Sequence, residues 1–209
     1  LYGKGQTTLT IGGNVTNHGV IGSDSNLTLT TQNALQNGST IYAKGNTTIS
    51  ASGAVTNGGT LGADRDLTLT TGGNLLNNGT LYSQGAGKYH TDGSFINNNL
   101  LRSENTLLID AQGNILNEAD IFALAGLNLS SGQNIDNHAQ LYSGAALSLY
   151  AAGNITNTAT LASLSNMVLS ASLFSNANSA LLAAGVQSNG QLAQNGGITI
   201  NVAQSASLQ

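Results

Sequence analysis

From Gly13 the chain runs through eight consecutive units of 20 residues without insertion or deletion, opening at Gly13, Asn33, Gly53, Gly73, Gly93, Gly113, Gln133 and Gly153. A unit this small cannot close a core alone and must stack on its neighbours, so a fixed period of this length overrides local propensity. The fifth position is asparagine in all eight units: Asn17, Asn37, Asn57, Asn77, Asn97, Asn117, Asn137 and Asn157. The third position is always apolar (Val15, Leu35, Val55, Leu75, Phe95, Ile115, Ile135, Ile155), and so is the ninth, from Ile21 to Leu161. The seventeenth runs from Leu29 to Leu169 with Tyr89 as its one polar-tipped member. The eleventh, from Ser23 to Ser163, holds only Ala or Ser and marks a place with little room.

Within a unit the hydrophobic alternation has period two, as in Leu27-Thr28-Leu29-Thr30-Thr31, which is the pattern of a strand with one buried face. Gly and Asn cluster at the first, second, sixth and seventh positions, where the expectation is that they supply the positive φ of sharp corners. Each unit is then one coil, and the predicted fold is all-β, a parallel β-helix of about ten 20-residue coils. The general preference for right-handed parallel crossovers makes it right-handed, and strand spacing gives a rod on the order of 50 Å long. A two-coil duplication is also visible. Gly13–Gln32 and Gly53–Gly72 share 12 of 20 residues, and the tenth position alternates Gly22, Tyr42, Gly62, Tyr82. The twelfth reads Asp24, Lys44, Asp64, Gln84, Glu104, which predicts opposite charges stacked on adjacent coils.

Composition narrows the function. Only 7% of the 209 residues are charged, with 5 Lys plus Arg and 9 Asp plus Glu, while Asn and Gly number 27 each. Five scattered cations cannot neutralise a phosphate backbone, so no nucleic-acid partner is expected. The absence of Cys removes disulfides and thiolate metal sites. There is no run of about 20 apolar residues for a membrane span and no signal peptide at Leu1, and the chain reads as part of something longer. The asparagine column has two readings. Inward amides at a corner can form a ladder along the stack that satisfies turn backbone groups; a ligand role for eight identical amides requires an equally periodic ligand.

After Leu169 the pattern breaks. Phe174 and Asn176 look like third- and fifth-position residues that arrive one residue early. Taking Leu181 as a ninth-position and Ile198 as a fifteenth-position residue leaves about eleven extra residues, within Gly185–Gly197, to leave the rod as a loop or small hairpin. The organisation is therefore a β-helix over 1–184, an insertion at 185–197 and a resumed coil at 198–209. Insertions in solenoids are frequent binding elements, which makes Gln187, Asn189, Gln191, Gln194 and Asn195 the candidate binding residues; a tolerated surface excursion is the alternative.

Catalytic and metal chemistry find little support. Asp110, Glu118 and Asp120 lie close in sequence but at separate corners or faces, without the paired geometry and cationic support that polysaccharide-cleaving enzymes use. His18 and His138 share the sixth position six coils apart, too far to share a metal, and His90 stands beside Asp92 alone. No enzyme activity, metal or cofactor is expected. Thr28/Thr30, Thr48/Ser50 and Thr68/Thr70 form a Thr-x-Thr array of the kind that orders water on ice-binding rods, but the columns continue as Lys88/His90 and Leu108/Asp110.

The pattern G-N-[apolar]-x-N, followed by a small residue, further apolar positions and L-x-L, is carried by Gly13–Gln32, Gly53–Gly72 and Gly153–Ser172. It resembles the haemagglutinin repeats of filamentous-haemagglutinin-like exoproteins, including the stalks of contact-dependent growth inhibition effectors. The resemblance covers residues 1–184 and extends to Leu181-Leu182-Ala183-Ala184-Gly185-Val186 with its Asn-Gly loop. It implies a large secreted bacterial surface protein exported through an outer-membrane two-partner secretion transporter. Such a protein is a monomeric fibre that serves adhesion or carries a toxin to a neighbouring cell, with a target-cell surface receptor as a further partner. This segment is then shaft.

Overall fold

The computed structural model describes residues 1–208. Among them all regular structure is β, and an ordinary coil contributes three short strands, as in Val55–Asn57, Thr60–Ala63 and Leu67–Thr71. Through the eight units every coil-to-coil pairing is parallel and joins residue i to i + 20: Asn57 lies between Asn37 and Asn77, and Leu69 between Ile49 and Tyr89. Strands from the eighth to eleventh positions form one sheet of ten strands, which gives about nine complete turns of β-solenoid. The other two stacks merge into one sheet of eighteen, because Met167–Asn176 and Ile198–Leu208 run unbroken through the corner between them.

The alternation seen in sequence becomes burial directly. In Leu67–Thr71, residues 67, 69 and 71 are buried while Thr68 and Thr70 face outward. Third-, ninth-, fifteenth- and seventeenth-position side chains fill the interior, with Leu69, Leu75, Phe95 and Ile115 fully enclosed; each such side chain contributes about 1.5–3 kcal/mol through its removal from water. The corners bend the chain and interrupt ladder hydrogen bonding, so inward polar side chains line them. Asparagines hold one corner. The eleventh position holds a second, where Ser103 Oγ and Ser143 Oγ donate to the carbonyls of Gly85 and Ala125, both at 2.9 Å. The nineteenth holds the third, where Ser131 Oγ donates to Gly113 O at 2.7 Å and Thr71 and Thr91 donate to Gly53 and Gly73.

Two expectations need correction. The corners contain no positive φ: among the described residues only Gly185 (82°) and Gly190 (81°) have it, both in the insertion. Corner glycines answer a steric demand instead, since successive coils touch there. A Cβ on Gly79 runs into the Gly59 carbonyl, and one on Gly153 lies 2.8 Å from Gln133 O. The second correction is Leu181, which pairs with Thr160, whereas Leu182 pairs with Leu161 and takes the ninth position. A turn at 177–180, closed by Ala180 N–H donating to Ala177 O at 2.9 Å, lengthens that corner and displaces the register. From Leu182 to Ile198 there are 16 steps where Leu161 to Met167 takes 6, so the insertion is ten residues, not eleven.

The two-coil duplication has a packing cause on the outer face of the ten-stranded sheet. Tyr2 and Tyr42 lie over Gly22 and Gly62 of the next coil, so close that a Cβ there falls 2.7 Å from the ring. Each phenol then donates to the aspartate two residues beyond the glycine, Tyr2 to Asp24 at 2.5 Å and Tyr42 to Asp64. Burial, and then the Asp64 contact, raise the Tyr42 phenol well above the usual range. Only part of the expected charge stack forms. Lys44 Nζ sits 2.5 Å from Asp24, but Glu104 pairs with Arg102 of its own coil, at 2.5 Å from Nε.

One core position is irregular. Gly87 stands in the fifteenth column, where its neighbours are Leu67 and Leu107, and Tyr89 fills the space. The Tyr89 hydroxyl and Ser83 Oγ border that gap without reaching hydrogen-bond geometry to any partner, and both are buried. Tyr89→Phe is expected to leave stability unchanged or raise it by up to about 1 kcal/mol, because it removes a buried unsatisfied hydroxyl while keeping the ring. A urea midpoint lowered by the substitution sinks this account.

Candidate functional site

The most ordered polar array in the molecule is the column of fifth-position asparagines. Asn17 Nδ2 donates to Asn37 Oδ1 at 2.8 Å, and the same bond repeats between Asn37 and Asn57 (2.9 Å), Asn57 and Asn77 (2.9 Å), and Asn77 and Asn97 (2.8 Å). It continues through Asn117 (3.0 Å), Asn137 (2.9 Å) and Asn157 (2.8 Å) to Asn176 at 2.7 Å. The amide's second hydrogen reaches a backbone carbonyl of the following coil, as from Asn37 to Thr60 O and Asn57 to Thr80 O, both 3.0 Å. Donors and acceptor are thus spent inside the stack, on side chains that are 0–6% exposed. What this array can do chemically is hold coils in register.

Two exterior ladders stand beside it that the sequence pattern marks only weakly. At the second position, Asn74 Oδ1 accepts from Ser94 N–H at 2.9 Å and Asn134 Oδ1 from Asn154 N–H at 2.8 Å. At the fourteenth, Asn26, Asn46 and Asp66 each accept from the backbone N–H of the next coil's corner, at 2.9, 3.2 and 2.8 Å. Their signal in the sequence is the recurrence of Asn at both columns, which is less regular than at the invariant fifth position.

The carboxylates considered for catalysis are engaged between coils and are not brought together. Asp110 Oδ2 lies 2.8 Å from His90 Nδ1, Glu118 Oε1 lies 2.8 Å from His138 Nδ1, and Asp120 Oδ1 accepts from Gln140 N–H at 3.2 Å. His90 also meets Asp92 through Nε2 at 3.2 Å. Among the described residues no three His, Asp or Glu side chains converge as a metal cage. The Thr-x-Thr array includes Thr8/Thr10 as a further rung, below Thr28/Thr30, and ends at Lys88/His90.

With a carboxylate on each ring nitrogen, His90 is built to be a double donor, and the Asp110 hydrogen bond raises its pKa against a smaller opposing effect of burial. The contribution to stability is therefore fully present below the unfolded-state value, about 6.5, and is lost as pH rises through the higher folded-state value. An NMR titration is expected to place His90 above the ordinary histidine range in the native chain and lower in Asp110→Asn. Equal values in both chains rule out the His90–Asp110 contact as the cause.

The insertion folds back onto the rod. Val186 and Leu192 form an antiparallel bridge, Gly190 N–H donates to Gln187 O at 2.9 Å, and Gly185 O accepts from Ala193 N–H at 2.8 Å. Val186 is buried against Tyr142 and Ala162 on the outer face of the ten-stranded sheet, in a small apolar cluster that Phe122 and Ala183 extend. Polar ties flank it. Gln140 Nε2 donates to Ser188 O at 3.3 Å, and Gln194 Nε2 donates to Leu164 O at 2.7 Å. Of the five candidate loop residues, Gln194 is thus a tether and Asn189 is held by Gln191, at 3.0 Å from its backbone N–H. Gln187, Gln191 and Asn195 have exposed side chains, and Leu192, paired with Val186 across the hairpin, is 81% exposed.

The haemagglutinin-repeat family model matches residues 3–59, 42–159, 125–196 and 150–208. No curated protein matches, and no solved structure matches.

Proposed function

Because the chain belongs to the haemagglutinin-repeat family, we propose that it is a shaft segment of a secreted bacterial surface exoprotein whose activity is reach and rigidity. The observation that carries this reading is the unbroken i to i + 20 pairing. Through the eight units each coil pairs only with the coils on either side of it, and the inward asparagine column is spent in holding the stack. The finer reading is that the shaft serves adhesion or contact-dependent toxin delivery, in a protein exported through an outer-membrane two-partner secretion transporter. Neighbour-only contacts support it, since such a stack can fold progressively as it emerges from a pore. Excising one in-register two-coil block is expected to keep the β-rich fold and shorten the rod by about 10 Å in small-angle scattering. Collapse of the fold, or an unchanged length, overturns the shaft reading.

A second reading rests on the exposed Leu192 on the outer strand of a hairpin that is otherwise pinned to the rod. In it, the 185–197 loop contacts a target-cell surface receptor. Leu192→Ser tests this better than deletion, because deleting the loop also uncovers Tyr142 and Ala162. Saturable cell-surface binding by the purified segment that Leu192→Ser abolishes favours recognition; absence of binding by the folded rod leaves the shaft.

A further inference from the structure

The chain contains five Asn–Gly pairs: Asn37–Gly38, Asn57–Gly58, Asn78–Gly79, Asn189–Gly190 and Asn195–Gly196. Such a pair is the most reactive setting for an asparagine side chain, because glycine has no Cβ to block approach to its own backbone nitrogen. The glycine nitrogen, having lost its proton, attacks the asparagine Cγ. A C–N bond forms, ammonia leaves with the side-chain nitrogen, and water opens the resulting succinimide at either carbonyl to give aspartate or isoaspartate. The reaction needs a glycine N–H free to lose its proton and an asparagine amide free to swing toward it.

The solenoid denies both conditions at Asn37 and Asn57, and one of them at Asn78. Gly38 N–H donates to Asn17 O at 2.8 Å and Gly58 N–H to Asn37 O at 2.7 Å, while the Asn37 and Asn57 amides are buried rungs of the ladder. At Asn78 the amide is engaged, its Oδ1 accepting from Asn98 Nδ2 at 2.8 Å, and the Gly79 N–H, which has no partner among the described residues, is buried where the coils touch. In the insertion, the hairpin turn denies both at Asn189. Gly190 N–H is bonded to Gln187 O and Asn189 Oδ1 accepts from Gln191 N–H.

Asn195 differs. Hydrogen bonds lie on either side of it, from Gln194 N–H to Gly185 O (3.2 Å) and from Gly197 N–H to Asn166 Oδ1 (2.9 Å). The Asn195 amide and the Gly196 N–H themselves have no partner among the described residues, and Asn195 is exposed. We propose that Asn195 is a site of spontaneous succinimide-mediated deamidation, and that the stacked coils and the hairpin turn shield the other four Asn–Gly pairs from the same reaction. The product places a carboxylate in a loop that carries no charged residue between 185 and 197. Isoaspartate also lengthens the backbone beside Gly196, which packs against Gly185 where the loop rejoins the rod. The loop's attachment changes and the ladder does not.

Incubating the folded chain at mildly alkaline pH, followed by peptide mapping that resolves isoaspartate, tests this. Conversion at Asn195 is expected to be at least ~10-fold faster than at Asn37 or Asn57, equivalent to about 1.4 kcal/mol in barrier. In denaturant all five pairs are expected to convert at comparable rates, and Asn195→Ser removes only the leading signal. Conversion led by Asn78 or Asn189, equal rates in the folded chain, or the same ranking in denaturant overturns the proposal.

Discussion

Asn97→Ala is expected to lower unfolding free energy by roughly 3 kcal/mol or more, although it removes only a few side-chain atoms. Asn97 donates to Asn117 Oδ1 at 3.0 Å and to Ala119 O at 3.1 Å, and accepts from Asn77 Nδ2 at 2.8 Å. Truncation leaves these groups buried with their partner gone, at about 1–3 kcal/mol for each unsatisfied group. Asn97→Asp separates polarity from volume. It keeps the size but sets an oxygen against Asn117 Oδ1, so it is expected to be at least as harmful. The first rung, Asn17, has no amide below it in the ladder, and Asn17→Ala is expected to cost about 1 kcal/mol. Urea unfolding of the three variants measures the series. An Asn97→Ala value within about 0.5 kcal/mol of the parent, the range of ordinary surface substitutions, removes the ladder from the account of stability.

Phe95→Ala is the second large effect. Phe95 is fully enclosed between Leu75 and Ile115 in the third column. Burial removes a large aromatic surface from water, and the coil frame, held above and below by ladders, cannot collapse into the void; about 3–5 kcal/mol is expected. The consequence in a solenoid goes beyond the midpoint. Because each coil contacts only its neighbours, weakening one interface in the middle lets the two halves unfold separately. Circular dichroism and calorimetry are expected to show a broadened or two-step transition in Phe95→Ala where the parent shows one. A loss below about 1.5 kcal/mol with a single sharp transition means that neighbouring side chains refill the cavity.

Much of this molecule could be read along one dimension because its period is constant. Once Asn17 and Asn37 are known to be equivalent, stacking places Leu75 under Phe95 and Asn97 under Asn117, and the inward columns follow. The His90–Asp110 contact is equally legible, as a pair 20 residues apart, although Asp92, two residues on, is the nearer carboxylate in sequence. The positive-φ corners were expected from glycine's usual role in turns. The coil geometry shows that close approach between coils explains the Gly79 and Gly153 positions instead.

The sequence by itself determined the repeat length, the strand content, the buried columns and the asparagine stack, since a periodic chain with alternating burial has one economical way to close its core. Tertiary structure decided whatever depends on contact across the outer surface. It set Tyr42 over Gly62 with its phenol on Asp64, Val186 on Tyr142, and Leu182 rather than Leu181 in the ninth column. Periodicity fixes which residues share a column. The direction an outward side chain leans, and the place where a ten-residue excursion lands, depend on local packing that no column records.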